Sequence, residues 1–153
     1  ALHWSREETL PFHVASQAGA TALIKKYTHI ITDTQARPEL EELKDLAYGS
    51  DLVILPTTPN HLDIDVTIRA VELLEPLDVN YKVLLTQVDS RTKTGRDARK
   101  VLEDLKLPLF KSEIPRLIAF ERASSRGVTI KDYPDPRAAF GWSSYRAVGK
   151  EVL

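Results

Sequence analysis

The sequence predicts an α/β fold of the doubly wound kind, with a mainly parallel sheet and helices on both faces. Two observations support this prediction. Short apolar runs rich in β-branched residues alternate with longer stretches whose apolar residues recur at helical spacing, and no internal repeat interrupts the alternation. Because parallel strands need crossover connections, this alternation implies right-handed βαβ units in a sheet covered on both sides.

Five apolar runs are predicted to be strands, and four amphipathic stretches are predicted to be helices. The strands are residues 12–15, 29–32, 52–55, 83–88 and 109–114, and the helices are residues 39–47, 63–74, 94–105 and 137–153. Thr94 and Asp97 have the spacing of a capping box. The last helix is expected to dock on the sheet through an apolar stripe of Trp142, Tyr145, Val148 and Val152.

Composition and charge limit the classes of function. The chain has 153 residues of which 42% are hydrophobic, which suits one soluble domain spanning residues 1–153. It contains no Cys, which excludes disulfides and thiolate metal sites. Its net charge of −1 predicts no bulk attraction to nucleic acid, so DNA binding would need a local patch. No basic-then-apolar leader and no apolar run of about 20 residues occurs, and we expect a cytosolic protein.

Asp33 is the residue whose position in the sequence most clearly indicates a role in ligand binding. It follows the apolar run at 29–32, and ligands of doubly wound sheets bind at the carboxyl ends of strands. A carboxylate beside phosphate oxygens requires Mg²⁺ between them, usually through a bound water, which is the Walker B arrangement. On spacing alone, an Asp that caps the following turn is an equally good interpretation.

The phosphate-binding loop that accompanies a Walker B carboxylate is absent from these residues. No G-x-x-x-x-G-K-[ST] segment can be fitted to the sequence. Hydrolysis by these residues alone is therefore not expected, since nothing would cradle the phosphates. The chain has no Met and shows no cap signal at Ala1, so we expect a further segment before this residue, where such a loop would lie.

Other groups of polar or charged residues give weaker evidence for a functional site. A metal cluster of Asp33, Asp63, Asp65 and Asp89 is disfavoured, because Asp63 and Asp65 are better read as a solvated first helical turn. Neither histidine ligand spacing nor a G-x-S-x-G elbow occurs. Basic residues cluster twice, as Arg91, Lys93, Arg96, Arg99 and Lys100 and as Arg116, Arg122, Arg126 and Lys131. Either cluster could contact phosphodiesters or form a solvated, charge-balanced face.

Several motifs together resemble the ParA/MinD family of deviant Walker ATPases. Residues 33–38, Asp-Thr-Gln-Ala-Arg-Pro, resemble its Walker B and switch II segment. Residues 53–59 and 83–92 resemble its next two strands and turns. The Ile-Pro-Arg at 114–116, followed by Ala123, Gly127, Tyr145, Gly149 and Glu151, is similar to the end of the family sequence. The resemblance spans residues 1–153 and depends on motif order and spacing rather than on any single motif.

The resemblance implies a P-loop-type fold and an ATPase that acts as a homodimer in its ATP state. Such proteins bind DNA without sequence preference and release it when a ParB-like or McdB-like adaptor stimulates hydrolysis. The cycle positions plasmids, chromosomal origins or carboxysomes, which implies a cytoplasmic, nucleoid-associated protein without a membrane partner. Asp33 would bind Mg²⁺ through water and act in catalysis, Thr86 and Gln87 would lie near the base of ATP, and Pro115 and Arg116 would form its backbone rim.

Two departures from the family pattern affect these assignments. The usual D-T-P-P reads D-T-Q-A here, a variant that resembles the branch of small plasmid ParA and carboxysome-positioning McdA proteins. A frequent DNA-contacting Arg falls at Ala119, so DNA binding is assigned to Arg116, Arg122 and Arg126. Another P-loop enzyme, such as a dethiobiotin-synthetase-like relative, and a noncatalytic α/β binding domain are the alternatives. A nitrogenase-iron-protein-like relative would need cluster-binding Cys, which this sequence lacks.

Overall fold

In the described part of the chain, helices pack around a short parallel sheet. A computed structural model describes residues 10–20, 23–34 and 40–153. Its elements are α1 (Gln17–Ala20), a 3-10 turn (Ile24–Lys26), α2 (Leu40–Tyr48), β1 (Val53–Thr57), α3 (His61–Leu74), a second 3-10 turn (Glu75–Leu77), β2 (Tyr81–Leu85), α4 (Thr94–Asp104), α5 (Ile118–Ser125) and α6 (Pro136–Val152). The predicted α/β class is confirmed, and a wider doubly wound sheet of the P-loop type stays a prediction.

The strands β1 and β2 are parallel neighbours connected by α3. Val53 lies opposite Tyr81, and Thr57 lies opposite Leu85. Parallel strands cannot be joined by a tight turn, and α3 is the crossover that the alternating sequence predicts. The pairing continues past β2, because the Thr86 amide donates to the Thr57 carbonyl at 2.8 Å.

Alternate side chains of β2 enter two different cores, because successive strand residues point to opposite faces of a sheet. Val83 and Leu85 pack with Ile64 and Val71 of α3 and with Ala98 and Leu102 of α4. Leu84 packs on the other face, with Phe110, Ile114 and Val148 of α6. Helices therefore cover both faces of this β1–α3–β2 unit.

The fifth predicted strand, residues 109–114, runs beside β2 but does not form a continuous strand. The Phe110 amide donates to the Val83 carbonyl at 3.0 Å, and the Ile114 amide donates to the Leu85 carbonyl at 2.9 Å. Between them the chain leaves the ladder, because the amides of Lys111 and Ser112 both donate to the Glu151 carboxylate at 2.8 Å. Of these two amides, a regular strand would have offered only that of Ser112 to β2, because successive amides of a strand point to opposite sides. Glu151 near the end of α6 thus binds a donor that would otherwise extend the ladder.

Two other predicted strands are wrong within the described residues. Residues 12–15 and 29–32 have no strand assignment. Ile31 is 94% exposed and Ile30 is 55% exposed, although their β-branched side chains suggested a buried strand. An apolar run becomes a strand only beside a hydrogen-bonding neighbour, and the sheet of the described residues contains β1 and β2 alone.

The positions of four helices are predicted correctly, but one predicted helix cap is wrong and one short helix was not predicted. The predicted helices correspond to α2, α3, α4 and α6, each within three residues at the ends. The capping box at Thr94 is wrong, since Lys93 is the N-cap of α4 and no side chain caps it. The short helix α5 was not predicted, because its buried residues are only Ala119 and Ala123 and give no strong apolar pattern.

The predicted apolar stripe on α6 is wrong for most of its members. Val148 is buried, whereas Trp142, Tyr145 and Val152 are 36%, 46% and 44% exposed. The helix packs instead through small residues, since its other buried positions are Ala138 and Gly141. Small residues let helix backbones approach closely, which places Trp142 at the edge of the contact rather than in it.

Gly141 lies at a close contact between α5 and α6. A Cβ atom built at this position would lie 2.9 Å from Cζ of Phe120 and 3.2 Å from Cδ1 of Leu117. Phe120 is itself held edge-on against Tyr145, with ring centroids 5.6 Å apart. Phe120 therefore has little room to move away.

Gly141→Ala should lower the free energy of unfolding by about 1 to 3 kcal/mol, because the added methyl group overpacks the α5–α6 contact. Urea denaturation measures the effect. Gly149→Ala on the same helix is the matched control, since nothing lies within 4 Å of its Cβ position. That change should be neutral or stabilise by up to about 1 kcal/mol through helix propensity. Equal midpoints for both variants would contradict the close packing.

Candidate functional site

The carboxyl ends of β1 and β2 form one continuous edge of polar groups. Thr57 ends β1, and Thr86 follows β2 directly. Thr86 binds the Thr57 carbonyl twice, through its amide at 2.8 Å and through its hydroxyl at 3.1 Å. This double contact fixes the path of the chain as it leaves β2. The residues that follow are therefore held at the edge where ligands of parallel sheets bind.

Gln87 turns the chain at this edge through a left-handed conformation. Its φ is 53°, a region that residues other than Gly, Asn and Asp seldom occupy. Its side chain is exposed, so no burial contact explains the conformation. Strained residues of this kind concentrate at functional sites, where the surrounding structure holds them in place. Here the bonds of Thr86 before it and of Val88 after it do so.

Val88 connects Gln87 with Pro115 and Arg116, the residues that are predicted to form the backbone rim of the nucleotide site. It forms a parallel bridge with Pro115, in which the Val88 amide donates to the Ile114 carbonyl at 3.0 Å. The Arg116 amide donates back to the Val88 carbonyl at 2.9 Å. Val88 thus pairs the segment that follows Thr86 and Gln87 with residues 114–116. Their binding of a nucleotide stays a prediction.

Gly95 lets the first turn of α4 approach this edge. A Cβ atom at Gly95 would lie 2.5 Å from Cγ1 of Val88, which is closer than two carbon atoms can pack. Glycine permits such an approach because it has no side chain. The position therefore ties α4 to the bridge between Val88 and Pro115.

The turn after β1 is ordered by its own polar side chains. Asn60 caps α3 by accepting from the Leu62 amide at 3.0 Å. The Thr58 hydroxyl donates to the Asp63 carboxylate. Asp63 lies in the first turn of α3, as the helix-dipole interpretation expects. Among the described residues, no group of three or more His, Asp or Glu side chains is close enough to hold a metal ion.

Asp33 lies in an exposed segment without regular structure, rather than at the end of a strand. The strand that was predicted to position it is the run at 29–32, which is not a strand here. The rest of the predicted switch II segment, residues 35–38, lies outside the described residues. The Walker B role of Asp33 therefore stays a prediction that the geometry of the described residues does not test.

Asp89 and Arg91 form an ion pair at the edge that the sequence did not suggest. Arg91 donates to both carboxylate oxygens, from Nε at 2.9 Å and from Nη2 at 2.7 Å, and its amide donates as well at 3.0 Å. These side-chain and backbone bonds, together with the charges of Arg91 and Arg116, hold the pKa of Asp89 far below its usual range. The carboxylate is 24% exposed, whereas Arg91 is 86% exposed.

The predicted DNA-binding arginines lie after this edge. Arg116 is exposed just before α5, and Arg122 is exposed on it, followed by Arg126 as its C-cap. Arg126 lies over the Tyr133 ring, with its guanidinium carbon 5.4 Å from the ring centroid. Ala119, where the family often has Arg, is 3% exposed and points into the α5–α6 core. An arginine could not occupy that position in this packing.

The other basic cluster is partly structural. Arg99 donates to the Phe110 carbonyl at 3.1 Å and contacts Glu113 at 3.5 Å. Arg91 is held by Asp89. These two side chains are engaged in contacts within the protein, which makes the cluster around α4 a poorer phosphodiester surface than the arginines at 116–126.

Arg91→Ala should raise the pKa of Asp89 toward the ordinary value of about 4. The largest stabilisation of its ionised form is the side-chain bond from Arg91, and the variant removes it. Titration of the carboxyl carbon by NMR measures the shift. Arg96→Ala, on the exposed face of α4, is the control and should leave the pKa of Asp89 unchanged. An Asp89 pKa that stays low in Arg91→Ala would contradict the pairing.

Comparison with known proteins identifies the family. No protein-family model matches the chain. The chain is 30% identical over 161 aligned positions to "Maintenance of carboxysome distribution protein A" of Gloeobacter kilaueensis, and the match covers 99% of this chain and 74% of that protein. Such identity over nearly the whole chain agrees with the order of motifs described above. The chain belongs to the family of maintenance of carboxysome distribution protein A.

Proposed function

We propose that this protein is a ParA-type ATPase that positions carboxysomes by switching between a DNA-bound and a free state. The observation that carries the proposal is the bridge between Val88 and Pro115. It brings the segment that contains Thr86 and Gln87 beside the segment that contains Arg116 at one sheet edge. The family relationship supports carboxysomes rather than plasmids or chromosomes as the cargo, since the name of the relative refers to carboxysome distribution.

The edge suits the base of ATP because it combines fixed backbone with one adaptable polar side chain. Residues 114–116 and 86–88 are cross-linked by backbone bonds of 2.9 to 3.0 Å, so their remaining polar groups have set positions. The amide of Gln87 offers both a donor and an acceptor, as the edge of adenine does. Fixed groups recognise a ligand at a smaller entropic cost than mobile ones.

Mg²⁺ would be bound with the phosphates of ATP, and Asp33 would hold it through a water molecule. The residue fits this role chemically, because it is an exposed carboxylate and Mg²⁺ retains several of its waters in proteins. The ion would neutralise charge on the phosphates during hydrolysis.

Asp33→Ala should abolish ATP turnover in the complete protein while leaving the fold intact. The carboxylate is exposed, so its loss removes no core packing. Phosphate release measures turnover, and urea denaturation measures folding. Asp45→Ala, an exposed carboxylate on α2, is the matched control and should retain turnover. Hydrolysis by Asp33→Ala at the parental rate would show that the Walker B assignment is wrong.

DNA binding would use Arg116, Arg122 and Arg126 in an ATP-dependent homodimer. Three arginines within eleven residues concentrate positive charge in a chain whose net charge is −1. One subunit would make few phosphate contacts and bind weakly, whereas a dimer doubles the contacts. Dimerisation by ATP would therefore act as the switch, with an adaptor of the McdB type promoting release. A cytoplasmic protein that associates with the nucleoid follows from this proposal.

No helix in the described ranges has the length and apolar content to span a membrane.

Duplex DNA of unrelated sequences should be retained at similar affinity with ATP and poorly with ADP. Each of Arg116→Ala, Arg122→Ala and Arg126→Ala should reduce the slope of log affinity against log salt by about two, because each change removes one phosphate contact from both subunits of the dimer. Filter binding across a salt series measures the slopes. Arg69→Ala on the exposed face of α3 removes the same charge elsewhere and should leave the slope unchanged. Equal retention with ATP and ADP, or slopes indifferent to all three changes, would contradict the DNA surface.

A further inference from the structure

A shallow groove separates α5 from the start of α6. Its lining residues are Ile118, Ala119, Arg122, Asp135, Pro136 and Arg137, around a volume of about 320 Å³. A second hollow of about 520 Å³ continues along α5 and shares Ile118 and Arg122 with the first. Its other lining residues are Glu121, Ser125, Arg126 and Tyr133. We call the two neighbouring hollows together the α5–α6 groove.

The groove has an apolar surface that solvent reaches. Ile118 is 60% exposed and lines both hollows. Phe140 is not a lining residue, but it is 59% exposed and follows Arg137 by three residues, which places it on the same side of α6 beside the groove. Large apolar side chains grouped at the surface mark sites where another molecule binds.

Two arginines of the groove have no partner in the described residues. The side chains of Arg122 and Arg137 form no ion pair or hydrogen bond there, whereas the Asp135 carboxylate is engaged in capping α6 through the Arg137 amide at 2.8 Å. Arg126 already lies over the Tyr133 ring. Arginine and aromatic residues are enriched at the centres of protein interfaces, because they combine apolar area with directed hydrogen bonds.

We propose that the α5–α6 groove binds an acidic amphipathic segment of a partner protein. Apolar side chains of the segment would cover Ile118 and Phe140, and its carboxylates would pair with Arg122 and Arg137. This occupant matches both features of the groove, since a carboxylate is the natural partner of a guanidinium group. A DNA backbone would satisfy the arginines but leave the two apolar side chains in water.

The proposal does not depend on ATP binding, but it shares Arg122 with the proposed DNA surface. A segment bound in the groove would occupy Arg122 and weaken its contact with phosphodiesters. The acidic segment and DNA would then compete. Arg116 lies outside the groove lining, and Ile118 carries no charge, which provides variants that separate the two ligands.

The test uses a short fluorescent peptide that alternates glutamate with leucine, and its affinity is measured by fluorescence anisotropy. Ile118→Ser and Arg137→Ala should each weaken binding about tenfold, the effect expected of a central interface residue. Arg116→Ala and Arg69→Ala should leave it unchanged. Peptides with glutamine for glutamate, or with serine for leucine, should bind at least about tenfold more weakly.

The same variants are then tested with duplex DNA in the presence of ATP. Ile118→Ser should retain the parental affinity for DNA. Arg116→Ala should bind DNA more weakly but keep the parental affinity for the peptide. The peptide should displace DNA from the parental protein. The proposal is overturned if the acidic peptide does not bind, or if serine replaces its leucines without loss of affinity. It also fails if Ile118→Ser and Arg137→Ala weaken DNA and peptide equally, which would make the groove part of the DNA surface.

Discussion

The contact between Thr86 and the Thr57 carbonyl is the constraint on which the candidate nucleotide site depends. Both the amide and the hydroxyl of Thr86 bind this one oxygen, at 2.8 and 3.1 Å. The chain therefore leaves β2 in a fixed direction and can hold Gln87 at a φ of 53°. Val88 then pairs with Pro115, so the position of residues 115 and 116 is set by the ends of the two strands.

The two faces of the sheet are covered by different helices and are held by different interactions. On one face, α3 and α4 build a core of ordinary aliphatic side chains against Val83 and Leu85. On the other, α6 reaches the sheet at Val148, and its Glu151 holds the loop that precedes the rim through two amide bonds. Hydrogen bonds and the Lys82 cation outweigh partial burial and lower the pKa of Glu151, so this carboxylate is ionised at neutral pH. The rim at 115–116 is thus anchored from both the sheet and α6.

The sequence predicted those parts of the fold that depend on local periodicity. The helices α2, α3, α4 and α6 and the strands β1 and β2 follow from apolar spacing within one segment. The run at 29–32 has the same composition as a buried strand, but a strand also needs a neighbour from elsewhere in the chain. The helix α5 was not predicted, because Ala119 and Ala123 bury little area and give no strong apolar pattern on their own. Their packing depends on Ile130 and Ala138, which lie outside α5.

The site was predictable only in part. The resemblance implies that Thr86, Gln87, Pro115 and Arg116 share one ligand, which stays a prediction. The structure pairs the two segments through Val88 and Pro115. The pair of Asp89 and Arg91 is a local contact that depends on the conformation of one turn. The α5–α6 groove depends on tertiary packing, and sequence spacing predicts neither feature.

The central claim is that this sheet edge receives the base of ATP. Photocrosslinking of the complete protein with an azido derivative of ATP, followed by mass spectrometry, tests it most directly. Labelled residues should fall within 86–88 and 114–116, and excess ATP should suppress the labelling. Labelling confined to α3 or to the α5–α6 groove, or labelling that ATP does not suppress, would contradict the account.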